Sequence, residues 1–182
     1  MSNELFQTGS NCWRIEQASR MGVVIDAADY FRVARDAMLE AREQIILVGW
    51  DVDPRILLDP DAPCTDDQNE PPNCLADFIP WLAKRRPELE INLLIWNMGF
   101  LKMLTRGLSA MTLARWRMAR HVSIRFDSSH PIGATHHQKI LVIDDSLALC
   151  GGIDMTSDRW DTPEHRDNDP RRKRPTGAPY MP

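Results

Sequence analysis

Apolar and polar positions follow a few distinct rhythms along this chain. Gln44 to Trp50 (QIILVGW) and Glu90 to Trp96 (EINLLIW) are short, nearly unbroken apolar runs, as expected of sheet strands with little solvent contact. Val122 to Phe126 alternates and predicts a shorter strand. His136 to Ile143 starts polar and runs into Ile140-Leu141-Val142-Ile143, which predicts a central strand buried on both faces with ionisable groups at its mouth. Asp144-Asp145-Ser146 is turn chemistry, and Leu147 to Cys150 is then the returning strand of a hairpin.

Helical spacing fills the intervals. Residues 26 to about 43 place Tyr30, Ala34, Ala37, Met38 and Ala41 on one face, with Asp26 as N-cap and Asp29 as the acid of a capping box. Leu75 to Arg85 predicts a second helix that Pro80 kinks or breaks. A third helical region spans Leu101, Met103, Leu104, Leu108, Met111, Leu113, Trp116 and Met118, interrupted near Gly107. Its apolar stripe reads as core-facing in preference to membrane-contacting. Cys12 to Ile25 reads as irregular or short-stranded, and residues 51–73 as a long acidic loop with five prolines.

This order predicts an α/β fold, a mixed and largely parallel β-sheet flanked by helices. Residues 1–156 form one lobe. Residues 157–182 are rich in Pro, Arg and Asp without periodicity, and read as an active-site loop or tail of an apparently truncated chain.

At 182 residues the chain is long enough for one well-cored domain. No apolar run approaches a membrane span, and Met1 to Ser10 lacks the basic and apolar regions of a signal peptide. Cys12, Cys64, Cys74 and Cys150 show no CxxC spacing, so free thiols in a reducing, cytoplasmic compartment are expected and a zinc site is not. Residues 1–101 hold 9 basic and 17 acidic groups, a net −8, whereas residues 102–182 hold 13 basic and 9 acidic, a net +4. That field favours an anionic substrate such as a phosphate ester, but it is not the excess of a dedicated nucleic-acid binder.

Strand alternation puts His137 and Lys139 on one face and His136 on the other. An imidazole can serve as nucleophile or acid/base near neutral pH, and an ammonium can hold a non-bridging phosphoryl oxygen. The pair Gly151-Gly152 lets backbone come close to that phosphate. Asp144 lies at an odd offset from Lys139 and roughly 23 Å along the strand from His137, at about 3.3 Å per residue. It is therefore expected to cap the turn or pair with a basic group, not to orient His137. Asp154, Asp161 and Glu164 are the candidates for that role.

The spacing His137-x-Lys139-x4-Asp144, then Gly151-Gly152-x-Asp154 after six residues, resembles the HKD motif of the phospholipase D superfamily. The continuation through Met155-Thr156-Ser157-Asp158-Arg159-Trp160-Asp161-Thr162-Pro163-Glu164-His165, and Gly49-Trp50-Asp51-Val52-Asp53-Pro54, are similar to the first HKD region of eukaryotic-type and related bacterial phospholipases D. The resemblance covers roughly residues 20–182. It implies a phospholipase D-like lobe that hydrolyses or transphosphatidylates phospholipids through a phosphohistidine. It also implies catalytic roles for His137, Lys139 and Asp144, and a membrane-surface substrate met by a peripheral cytoplasmic protein. Asp154 stands where many members carry Asn, and favours the lipase branch. No cofactor or metal is implied.

The family pairs two such motifs in one site, and this sequence has one, since His121, His130 and His165 lack a Lys two residues on. A second motif is expected either from a homodimer partner or from a complementary half. A homodimeric single-motif nuclease and a non-catalytic fragment are the alternatives. Trp160 is expected to touch substrate, whereas Trp50, Trp81, Trp96 and Trp116 read as core. Arg171 to Arg174 reads as a solvated basic run in preference to a lipid-headgroup contact.

Overall fold

The computed structural model describes residues 5–62, 67, 69–96, 110–131 and 134–181. In chain order the elements are α1 (Asp26–Glu40), β1 (Gln44–Gly49), α2 (Leu75–Arg85), β2 (Glu90–Trp96), α3 (Ala110–Met118), β3 (Val122–Asp127), β4 (Ile140–Ile143) and β5 (Leu147–Cys150). The strands form one five-stranded sheet in the order β3-β2-β1-β4-β5. β1, β2 and β3 run parallel, β4 is antiparallel to β1, and β5 is antiparallel to β4.

This topology brings the stretch that carries His137 and Lys139 to one end of the sheet. The parallel strands finish at Gly49, Trp96 and Asp127, and β4 begins at Ile140 opposite Val48. Trp50, Trp96, Asp127 and residues 136–139 therefore share the carboxyl edge, where open α/β sheets bind their ligands.

Burial on the strands alternates, with Ile45, Leu47, Ile91, Leu93, Ile95, Leu141 and Ile143 fully covered. They join one core with Phe31, Ala34 and Met38 of α1, Phe78, Ile79 and Leu82 of α2, and Leu113 and Trp116 of α3. β4 is consequently buried on one face and only half-buried through Ile140 and Val142 on the other, which corrects the expectation of two buried faces. Its run of branched residues reflects strand propensity as much as burial.

Other expectations shift in detail. The buried face of α1 is Ala27, Phe31, Ala34, Met38 and Ala41, displaced one residue from the predicted stripe at Tyr30 and Ala37. The helix ends at Glu40, its N-cap is Ile25, and no side chain caps it. The Asp26 carboxylate lies instead 3.5 Å from His165 Nε2.

Helix α2 runs through Pro80 without a break. Proline removes the N–H that would have bonded to the carbonyl of Ala76. That carbonyl accepts the indole N–H of Trp116 at 2.9 Å, so the helix keeps its bonding complete by borrowing a donor from α3. Met111 and Met118 of α3 face solvent, and the predicted helical positions 101–109 lie outside the described residues.

Residues 157–181 contain no helix or strand, yet they are packed. Trp160, Asp161, Asp169, Arg172 and Tyr180 are buried, and the Tyr180 hydroxyl donates to the Trp160 carbonyl at 2.7 Å. The basic run is largely consumed by ion pairs. Arg171 holds Asp169 and Asp61, Arg172 approaches Asp161, and Arg174 holds Asp158.

Candidate active site

Lys139 is the best-defined group of the site. It precedes β4 on the same face as Leu141 and Ile143, and is only 5% exposed. Its Nζ lies 3.0 Å from Asp154 Oδ2 and donates to the His137 carbonyl at 3.1 Å. An ammonium carries three donors. Two are used within the described residues, by Asp154 and the His137 carbonyl. Asp154 is 3% exposed, and its other oxygen accepts the backbone N–H groups of Trp50 at 2.9 Å and Asp51 at 3.4 Å. A Cβ at Gly49 would stand 3.4 Å from Asp154 Oδ1, an ordinary contact, so the approach of Asp154 does not require glycine there. Asp154 thus ties the end of β1 to Lys139 and does not orient His137.

His137 precedes the strand and is exposed. No hydrogen bond links its ring to the described residues. Its ring meets that of Trp50 edge-to-face, with centroids 5.9 Å apart and planes at 63°. Trp50 stacks on Trp96 at 5.6 Å and 17°, and the Trp96 indole N–H donates to His130 Nε2 at 2.9 Å. His136 lies away from this row. Its Nδ1 is 3.0 Å from Gln138 Oε1 and its Nε2 is 3.8 Å from Asp127 Oδ2.

Asp144 is placed far from the imidazole in function. Its carboxylate accepts the backbone N–H groups of Arg42 and Glu43 at 2.8 Å and of Gln44 at 2.9 Å. It therefore caps the entry to β1, the strand paired with its own, and not the turn in which it sits. Asp144 and Asp145 both adopt positive φ, and Ser146 N–H closes the turn on the Ile143 carbonyl. Burial pushes the Asp144 carboxyl up, but the three N–H donors and the nearby Arg42 charge outweigh it and hold the group below its ordinary value.

The remaining carboxylates also serve elsewhere. Asp161 Oδ2 lies 2.9 Å from His165 Nδ1, and Glu164 is exposed. Asp51 accepts the Thr156 hydroxyl at 3.0 Å, which fastens the loop after β1 to the segment after the motif. None of Asp154, Asp161 and Glu164 meets the His137 ring. Gly151 and Gly152 are exposed, and a Cβ at either would meet no heavy atom within 4 Å, so packing inside the lobe does not require glycine at these positions. Trp160 is 7% exposed, stacks under Arg171, and lines a cavity of about 630 Å³ with Ile56, Leu57, Pro60, Thr156 and Tyr180.

Trp50, Trp96 and His130 are the site residues that strand periodicity missed. The two tryptophans end apolar runs, and so read as core. The signal lay in the register, because the pair one step beyond Gly49 and Ile95 is Trp50 opposite Trp96.

No family model matches the chain. Among curated proteins, phospholipase D1 of Homo sapiens is 30% identical over 165 residues, covering 86% of this chain and 14% of that protein. Phospholipase D2 of Bos taurus is 29% identical over 163 residues, covering 87% and 16%. Phospholipase D B of Dictyostelium discoideum is 26% identical over 159 residues, covering 86% and 12%. The chain thus spans less than a fifth of each of these relatives. Among solved structures, the phospholipase D family member Nuc from Salmonella typhimurium superposes with a TM-score of 0.45 at 14% identity, covering 75% of this chain and 79% of that one.

Proposed function

Because this chain belongs to the phospholipase D superfamily, we propose that it carries one half of a phosphodiesterase site for phospholipids. The observation that carries the reading is Lys139, an ammonium held in the protein by Asp154 and by the backbone carbonyl of His137, whose own side chain is exposed.

In this reading the phosphodiester enters at the carboxyl edge of the sheet. Lys139 binds a non-bridging oxygen and neutralises the charge that grows there. One nitrogen of His137 attacks phosphorus, the N–P bond forms as the bond to the headgroup alcohol breaks, and a second histidine protonates the departing oxygen. Water, or another alcohol, then attacks phosphorus, gives up its proton to that second histidine, and releases His137. The second histidine comes from outside the motif described above, in a second copy or in a further stretch of polypeptide. Asp144 contributes by fixing the β1 entry, and Trp160 by lining the cavity beside the loop of Thr156. The protein meets its substrate peripherally, at the cytoplasmic surface of a membrane.

Choline release from phosphatidylcholine vesicles by the assembled protein tests this. His137→Ala is expected to lower turnover by on the order of 10³-fold or more with the fold retained. Equal turnover in that variant, or cleavage of nucleic acid with no action on the lipid, would overturn the reading.

A further inference from the structure

A histidine that attacks phosphorus in line must hold its ring plane. The usual restraint is a hydrogen bond to the nitrogen that does not react. Among the described residues none reaches the His137 ring in this way, and its ring contact is with Trp50. Trp50 is itself held from two directions. Its backbone N–H donates to Asp154 Oδ1, the carboxylate whose other oxygen holds Lys139. Its indole lies flat on Trp96, whose own N–H is fixed on His130 Nε2. His130 accepts there, so its proton sits on Nδ1, 3.1 Å from the Pro131 carbonyl. Four rings, His137, Trp50, Trp96 and His130, thus stand in a row along the carboxyl edge of the sheet.

We propose that Trp50 is the positioning residue for His137, setting the plane of the imidazole by edge-to-face contact with a stack anchored on β2. The inference rests on the phosphodiesterase reading above and deepens it. Ring contact restrains the plane and leaves both nitrogens uncommitted, one for phosphorus and one for a proton. Asp154 links the two halves of the arrangement: the carboxylate that sets Lys139 also sets the backbone from which the positioning ring projects.

The test begins on the unmutated chain. Nuclear Overhauser contacts between the His137 ring protons and the Trp50 indole, with ring-current-shifted His137 resonances, are expected; their absence would overturn the proposal. In Trp50→Leu the His137 resonances should move to unstacked positions while the β1 and β4 amide signals stay in place. Trp50→Phe should retain part of the shift. In the assembled enzyme, Trp50→Leu should lower kcat by about 10- to 100-fold with KM within about twofold, and Trp50→Phe should restore most of it. An unchanged kcat, or a loss equal in both variants, would overturn the positioning role. An unmutated enzyme that turns over no phosphodiester would instead overturn the functional reading, whatever the ring contacts show.

Discussion

At the scale of single residues, the site is built on a buried ion pair. Lys139 and Asp154 are both almost wholly enclosed, and such a pair is costly to break from one side. Asp154→Ala leaves an unpaired buried ammonium and is expected to lower stability by about 3–5 kcal/mol in chemical denaturation. The double variant Asp154→Leu, Lys139→Met should recover much of that loss. Recovery of stability without activity would separate the pair's role in the fold from the role proposed for Lys139 at phosphorus. Asp144 gives a complementary case. Its three N–H acceptor bonds predict that Asp144→Ala costs about 1.5–3 kcal/mol. Its folded pKa lies below the unfolded one, so its contribution is present above pH of about 4 and disappears as pH falls through the lower folded value. The two carboxylates act at opposite ends of β1, since Asp144 holds its entry and Asp154 ties its exit to Lys139.

At the scale of elements, Pro80 and Trp116 make a cross-helix device. The proline frees the Ala76 carbonyl, and the indole of the neighbouring helix fills the vacancy. Trp116→Phe should therefore cost about 1–3 kcal/mol from the orphaned carbonyl, beyond any loss of packing. In a Pro80→Ala background, where the helix supplies its own N–H, that part of the cost should vanish in a double-mutant cycle by thermal denaturation. The elements themselves are largely legible from periodicity. QIILVG, EINLLIW and ILVI are apolar runs with no competing helical spacing, and all three are strands. The face of α1 is displaced by one residue from its predicted place because Tyr30 and Ala37 are apolar on the flank of the buried stripe, and Phe31 lies at its centre. The partner of Lys139 is not legible, since it is set by how the segment after β5 folds back toward Gly49. Trp50 and Trp96 escape for a related reason: a tryptophan ending an apolar run reads as core until strand register shows that it stands at the mouth of the sheet.

At the scale of the molecule, residues 157–181 are attached by charge and aromatic contacts at irregular intervals, which no periodicity reveals. His165 is central to that attachment, with Asp161 at Nδ1 and Asp26 of α1 near Nε2. The hydrogen bond to Asp161 and the charge of Asp26 raise its pKa above the ordinary value, against a small opposing effect of burial and the Arg172 charge. A raised folded pKa means that His165 stabilises the fold below pH of about 6.5 and loses this contribution as pH rises through the folded value. The melting-temperature difference between the unmutated chain and His165→Ala should accordingly shrink between about pH 6 and 8. Asp169 acts at the other end of the pH range. The Arg171 guanidinium and backbone N–H hold it down to about 2, so its share of the attachment persists above pH of about 4 and is lost only toward 2.

These scales meet at the carboxyl edge of the sheet, where a buried carboxylate fixes Lys139 and a row of rings faces His137. The most direct measurement is a titration of the chain with short-chain phosphatidylcholine, followed by the ring resonances of His137. A saturable shift is expected in the unmutated protein and at least a tenfold weaker response in Lys139→Ala, the loss of about 1.4 kcal/mol expected for one charged hydrogen bond. A His137 signal that ignores the lipid, or one that responds equally without Lys139, would contradict it.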